Sequence, residues 1–327
     1  MLADRLGRRL TLIIATSAFG LLGCAIMLMN SLELVIATRF LIGLATGTIA
    51  VCLAAVIADN FEGSAQGKWI GYTGGVAAFA IIAVIPLTGY LTDIRWEMGF
   101  LPYLLALPIL GAILLGVPAH KAGAVAATED AKLSIPFNKI PISALCLGLI
   151  LGTLQAGTGL YWPFRLQEVG VTSAAEFASY VLPQILVIGM TTMAYGHIRR
   201  FLSIPQVFII AGLLSALGLI LIAAATSPAW ILVGLTIEGL GIGAMTPNLT
   251  VLALALTDEE FRGRILGLIK SVIYGSPFIT QFILQPLNLL GGSTAAVYGI
   301  AAMSIGMAIA VIFRWLGQPG KPAGAVT

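Results

Sequence analysis

M-L-A-D-R-L-G-R-R, Met1 to Arg9, sets one acidic and three basic side chains at the head of a chain that is otherwise almost wholly apolar. From Leu10 the sequence turns hydrophobic at once. A secretory signal would place its charges first, then a short apolar run, then a small-residue cleavage site. Here about 20 apolar residues follow the charges, enough to cross a bilayer. The nonapeptide reads as a loop between two membrane spans, with the chain starting inside it.

Composition sets the same limit on the whole chain. Of 327 residues, 59% are hydrophobic and 9% charged, against roughly 25% charged in soluble domains. Too few charges remain to solvate that much hydrocarbon, so the sequence predicts a polytopic membrane protein. A net charge of +3 without a dense basic patch argues against a nucleic-acid partner. Cys24, Cys52 and Cys146 lie in apolar runs without metal or redox spacing and read as small hydrophobes. His120 and His197 fall in connecting segments with no neighbouring ligand, so neither metal nor cofactor is expected. No phosphate-cradling G-x-x-x-x-G-K-[ST] run is present, which excludes direct drive by ATP. No nucleophile–base pair stands out either, which argues against an enzyme.

Bilayer-length apolar stretches recur at 10–30, 32–58, 69–92, 99–118, 141–162, 174–196, 205–226, 229–256, 265–287 and 294–316. Membrane strands would be shorter and alternate in polarity, so the expected fold class is all-α. If the amino-terminal loop is cytoplasmic, fourteen Lys and Arg fall on the cytoplasmic side and only Arg95 and Arg165 on the other. That asymmetry obeys the positive-inside rule and places the chain start and the central loop in the cytoplasm. The longest connection, 119–140, divides an amino-terminal bundle (1–118, four helices) from a six-helix bundle at 141–316. The Gly-, Pro- and Ala-rich tail at 317–327 is expected to be disordered.

The two blocks echo one another at an offset of 196 residues. Q-G-K-W-I-G (Gln66 to Gly71) answers R-G-R-I-L-G (Arg262 to Gly267), and Gly43 and Gly47 fall on Gly239 and Gly243. Parallel repeats of this kind mark a large class of transporters. The offset implies that about 55 residues, two spans at ~20 residues each, stand before Met1 in the complete repeat. Ten spans of an expected twelve are the result.

These residues resemble the major facilitator superfamily, and within it the bacterial drug:proton antiporter-like members. The family's loop signature, approximately G-x-L-A-D-R-x-G-R-[KR], is met by L-A-D-R-L-G-R-R at Leu2 to Arg9. The fourth-helix signature L-x-x-x-R-x-x-Q-G is met by Leu34, Arg39 and Gly43, with Ile42 in place of Gln. R-W-E-M-G-F (Arg95 to Phe100) is similar to the junction before the sixth helix, and I-P-L-T-G-Y keeps Pro86 and Gly89 of the antiporter run G-P-x-x-G-G. The resemblance implies a two-bundle fold in the cell inner membrane and a monomer that moves a small solute by alternating access. The motion would be driven by a proton gradient, as efflux of a drug or metabolite. A proton-coupled uptake symporter and a non-transporting remnant remain the alternatives.

The resemblance also assigns a cytoplasmic latch to Asp4, Arg5, Gly7, Arg8 and Arg9, with Gly7 allowing the tight turn. Arg39 lies about 10 Å inside its span at 1.5 Å rise per residue. There a guanidinium needs water or a partner, and it reads as a coupling group. Glu238 is the one carboxylate deep in a span, three residues past the repeat counterpart of Arg39. Low-dielectric surroundings favour the neutral carboxyl, so Glu238 is a candidate proton or cation site. Gln155, Tyr161, Tyr180, Gln184, Asn248, Tyr274 and Gln281 are cavity candidates, with interhelical hydrogen bonding as the plainer reading of each. Gly43, Gly47, Gly239 and Gly243 read as small faces for close helix approach.

Overall fold

The computed structural model describes residues 7–60, 63–116, 139–258 and 261–316. A backbone in hydrocarbon must satisfy every N–H and C=O internally, and the described residues accordingly form helices and no strands. In order they are α1 (Arg8–Ala25), α2 (Leu32–Asn60), α3 (Gly63–Ile94), α4 (Ala106–Gly116), α5 (Ile142–Glu168), α6 (Ala174–Phe201), α7 (Ile204–Ala223), α8 (Pro228–Ala255) and α9 (Arg262–Leu316). Short 3-10 turns extend α1 through Ile26–Leu28 and lead into α4 through Trp96–Leu105. Eight segments among the described residues are long and apolar enough to span a membrane, with a shorter apolar one at Ala80–Ile94. The last, Arg264–Leu316, is 53 residues long and breaks at Gly291 and Gly292, where Gly292 has φ 67°. The left-handed value suits glycine, which has no Cβ to clash.

The chain forms two compact units. The first is Met1–Lys132 with Ser173–Ala178, and the second is Leu133–Thr172 with Ser179–Thr327. The first turn of α6 goes with the first unit rather than with the rest of its helix. In that unit α1 packs on α2 and α4, and the Phe19 and Tyr103 rings meet at 5.0 Å between centroids. Gly7, at φ 80°, stands at the N-cap of α1, and Arg9 donates from Nη2 to the Leu114 carbonyl at 2.7 Å.

In the second unit α9 packs on α5 and α7, and α7 on α8. Lipid gives helices no hydrophobic reason to associate, so close packing and hydrogen bonds must do it. Ser304 Oγ donates to the Gly212 carbonyl at 2.8 Å, and Leu154, Leu219, Leu235 and Met245 are wholly buried. Two helix-interior prolines come with repairs. Pro247 has no N–H for the carbonyl of Gly243, and Thr192 Oγ1 donates to that oxygen instead at 2.9 Å. Pro277 likewise frees the carbonyl of Ile273, which accepts from Ser276 Oγ at 2.7 Å. Such substitutes explain why proline is tolerated in membrane helices.

At the C-terminal end of α5, Arg165 is 8% exposed. Its Nη2 donates to the carbonyls of Ala223 and Ala225, each at 3.0 Å, and its Nε to that of Ile222 at 3.4 Å. A cation on the last carbonyls of α7 satisfies both their hydrogen bonds and the helix dipole. Glu168 pairs with Arg165 and accepts from Ser293 Oγ at 2.5 Å. One ion pair thus ties the ends of α5, α7 and the final stretch of α9.

Candidate functional site

Glu238 sits in the middle of α8 with no solvent exposure. Glycines on both sides bring the neighbouring helices close enough to enclose it. A Cβ at Gly218 of α7 would lie 2.6 Å from the Glu238 nitrogen, and one at Gly239 would lie 3.1 Å from the Gln184 carbonyl. A Cβ at Gly243 would lie 2.7 Å from the Ile188 carbonyl. Small residues here let α6, α7 and α8 close around one carboxyl.

Both carboxyl oxygens of Glu238 are occupied, and by neutral donors. Thr158 Oγ1 of α5 lies 2.8 Å from Oε1, and Gln184 Nε2 of α6 donates to Oε2. No salt bridge to Glu238 occurs among the described residues. Thr158 Oγ1 also lies 2.8 Å from the carbonyl of Leu154, one turn earlier in α5. A hydroxyl has one proton to give and two lone pairs to receive. With Glu238 ionised, Thr158 donates to Oε1. With Glu238 protonated, the acid donates to Thr158, which turns its own proton to Leu154. Both charge states are satisfied, and the donor groups need not move apart.

Arg39, in the first unit, donates from Nη1 to the Tyr103 hydroxyl at 3.0 Å, and its guanidinium stands 5.2 Å from the Phe100 ring centroid. The residue is exposed overall, and its charge is met by a phenol and a π-face (a cation–π contact,).

The remaining candidates divide. Gln184 joins Glu238, and Gln155 reaches Thr246 Oγ1 at 3.5 Å. Asn248 is wholly buried, accepting from the Tyr195 hydroxyl at 2.9 Å and donating to the Ile204 carbonyl at 3.0 Å. Tyr161 is buried, Tyr180 half-buried, and Tyr274 and Gln281 exposed. Among the described residues, a Cβ at Gly43 or Gly47 would meet nothing within 4 Å, so those glycines face open space. Pro86 is inside α3 and Gly89 is buried one turn short of its end. Asp4 and Arg5 lie outside the described residues, as do most of the central loop and the tail.

Sequence reasoning passed over Thr158 and Tyr195. Thr158 did carry a signal: with Gln155 and Tyr161 it forms a polar row at three-residue spacing on one face of α5. Among the described residues no group of three or more acidic, His or Cys side chains could hold a metal.

Comparison with known proteins agrees with this architecture. The chain is 28% identical over 301 residues to the multidrug transporter MdfA of Yersinia pestis bv. Antiqua (strain Angola), covering 84% of this chain and 70% of that protein. Among solved structures, a D-xylose–proton symporter superposes with a TM-score of 0.73 at 15% identity, covering 99% of this chain and 83% of that one. A POT family transporter superposes with a TM-score of 0.74 at 14% identity, covering 94% and 82%. The family model described as Major Facilitator Superfamily matches residues 1–281. An all-helical, multi-pass chain with that match is a membrane transporter of small molecules rather than an enzyme, and it belongs to the Major Facilitator Superfamily.

Proposed function

We propose that the protein exports a small amphipathic solute from the cytoplasm across the inner membrane in exchange for protons, with Glu238 as the proton carrier. The observation that carries this reading is the pair of hydrogen-bond arrangements open to Glu238 and Thr158. A buried carboxyl without a cation is costly unless each of its states is hydrogen-bonded. The geometry meets that condition for both states. Intramembrane acids generally mark proton or ion pathways, and the relatives named multidrug transporter favour a lipophilic solute. Arg39, held by Tyr103 and Phe100, supplies a fixed positive charge in the other unit.

The test is flux of ethidium, a lipophilic cationic dye, in proteoliposomes with and without an imposed pH gradient. Glu238→Gln is expected to reduce gradient-driven flux to the rate seen without a gradient, with dye binding retained. A Gln variant that answers the gradient as the parent does would overturn the assignment. Gradient-driven accumulation in the direction of proton flow would overturn export and leave the proton site standing.

A further inference from the structure

In the second unit, α5 and the first stretch of α9 lie side by side and run in the same direction. A Cβ at Gly148 would lie 3.5 Å from Ile269, one at Gly152 2.8 Å from the Ser276 Cβ, and one at Gly157 3.0 Å from Leu284. The numbers rise together, so both helices begin at the same end of the pair. Small residues draw the backbones together along this seam. Beside it the two helices part and leave a groove of about 450 Å³. Leu145, Cys146 and Leu149 of α5 stand on one wall, with Ser271, Gly275 and Ile279 of α9 on the other.

The groove offers hydrocarbon and little else. The Ser271 hydroxyl already donates to the Gly267 carbonyl at 3.0 Å, and a Cβ at Gly275 would meet nothing within 4 Å. A polar group entering here would give up water and gain no partner, whereas an acyl chain gives up nothing. The head of the groove is electropositive instead. Arg264 precedes Ser271 by two turns on the same face of α9, about 10 Å at 1.5 Å rise per residue. It is exposed and has no acidic partner among the described residues. Asp258, six residues earlier, is paired with Lys139 at 2.6 Å. The amino ends of both helices add partial positive charge at that end. Neither helix carries an acid in its first turn, and α5 has no side-chain cap.

We propose that this groove holds an anionic phospholipid, with one acyl chain lying between α5 and α9 and the phosphate against Arg264 and the two helix ends. The charge asymmetry places that end at the cytoplasmic leaflet, where anionic lipids give the surface a negative potential. Basic pockets between membrane helices on that side suit such head groups. A cationic or neutral oily solute would fill the groove and leave Arg264 unmatched, so the charge favours the lipid over the exported solute. The site uses residues of one unit alone and stands apart from the role given to Glu238.

The purified full chain is titrated in detergent with phosphatidylglycerol, or with phosphatidylcholine of the same acyl chains, and native mass spectrometry counts the bound lipid. The parent protein is expected to hold phosphatidylglycerol about fivefold more tightly, the size of one basic residue's attraction to an anionic membrane. Arg264→Gln should remove that preference, whereas Arg314→Gln, at the far end of α9, should keep it. Gly275→Leu, which fills the groove, should weaken binding of both lipids. Neither ethidium nor glycerol 3-phosphate, a head group without chains, should compete. Equal affinity of the parent for the two lipids, or an unchanged preference in folded Arg264→Gln, would overturn the proposal. Displacement by ethidium or by glycerol 3-phosphate would overturn it too, in favour of a solute site or a bare phosphate site. If Gly275→Leu does not fold, Ser271→Leu takes its place, and undiminished lipid binding in the folded variant counts against the acyl-chain seat and sinks the proposal.

Discussion

Thr158 has two acceptors within 2.8 Å and one proton to give. Its value to Glu238 is rotation about one bond, which costs far less than moving a helix. Thr158→Val keeps the shape and removes the rotor, leaving Glu238 Oε1 without a donor. Because an unpaired buried polar group costs about 1–3 kcal/mol, the variant is expected to slow proton-driven ethidium flux roughly tenfold or more. Gradient-independent exchange of the dye should persist, and the two fluxes measured side by side check this. Glu238 was legible in the sequence because a carboxylate inside a span has few innocent explanations. Thr158 was not, because hydroxyls in membrane helices commonly bond to their own preceding turn. Thr46, Thr48 and Thr92 each do so. Which threonine also faces an acid depends on packing that one chain's periodicity cannot supply when helices are apolar all round.

At the scale of elements, the helices were legible by length and by their breaks, and their polar links were not. The sequence places Pro247 in a span, but the partner for the carbonyl it frees is Thr192, 51 residues away in chain number. Thr192→Val is expected to destabilise the protein by about 1 kcal/mol, in line with interhelical hydrogen bonds in membranes, readable as a lower melting midpoint in detergent. Arg165 offers the larger effect. From sequence it counted only as one of two basic residues on the sparsely charged face, yet it caps α7 and pairs with Glu168. Arg165→Ala leaves several carbonyls and the Glu168 carboxylate uncompensated, at an expected cost of about 2–3 kcal/mol. Arg165→Lys should recover only part of this, because an ammonium cannot fork to carbonyls and carboxylate together. Melting curves of the two variants check the order.

The whole molecule divides into two units, while the repeat and the central loop led the sequence reading to expect bundles at 1–118 and 141–316. The membership of Ser173–Ala178 was not visible there, because it depends on a tertiary cap from Asp93 and a close approach at Gly89. The charge asymmetry makes a claim at this scale as well: the carboxyl terminus, beyond Arg314 and Lys321, is assigned to the cytoplasmic face. A green fluorescent protein fused after Thr327 should therefore fluoresce, and alkaline phosphatase at the same point should be inactive. The reverse pair of results would invert the assignment.

The break at Gly291 and Gly292 has its own bearing on how this protein is made. The stretches of α9 on either side are joined by a turn of about two residues, which leaves almost no polar chain between them. The two stretches are expected to enter the bilayer as a pair rather than one after the other. The Ser293 hydroxyl that donates to Glu168 lies just past this break, so the Arg165–Glu168 pair gains its third partner only after the chain beyond Gly292 has been made.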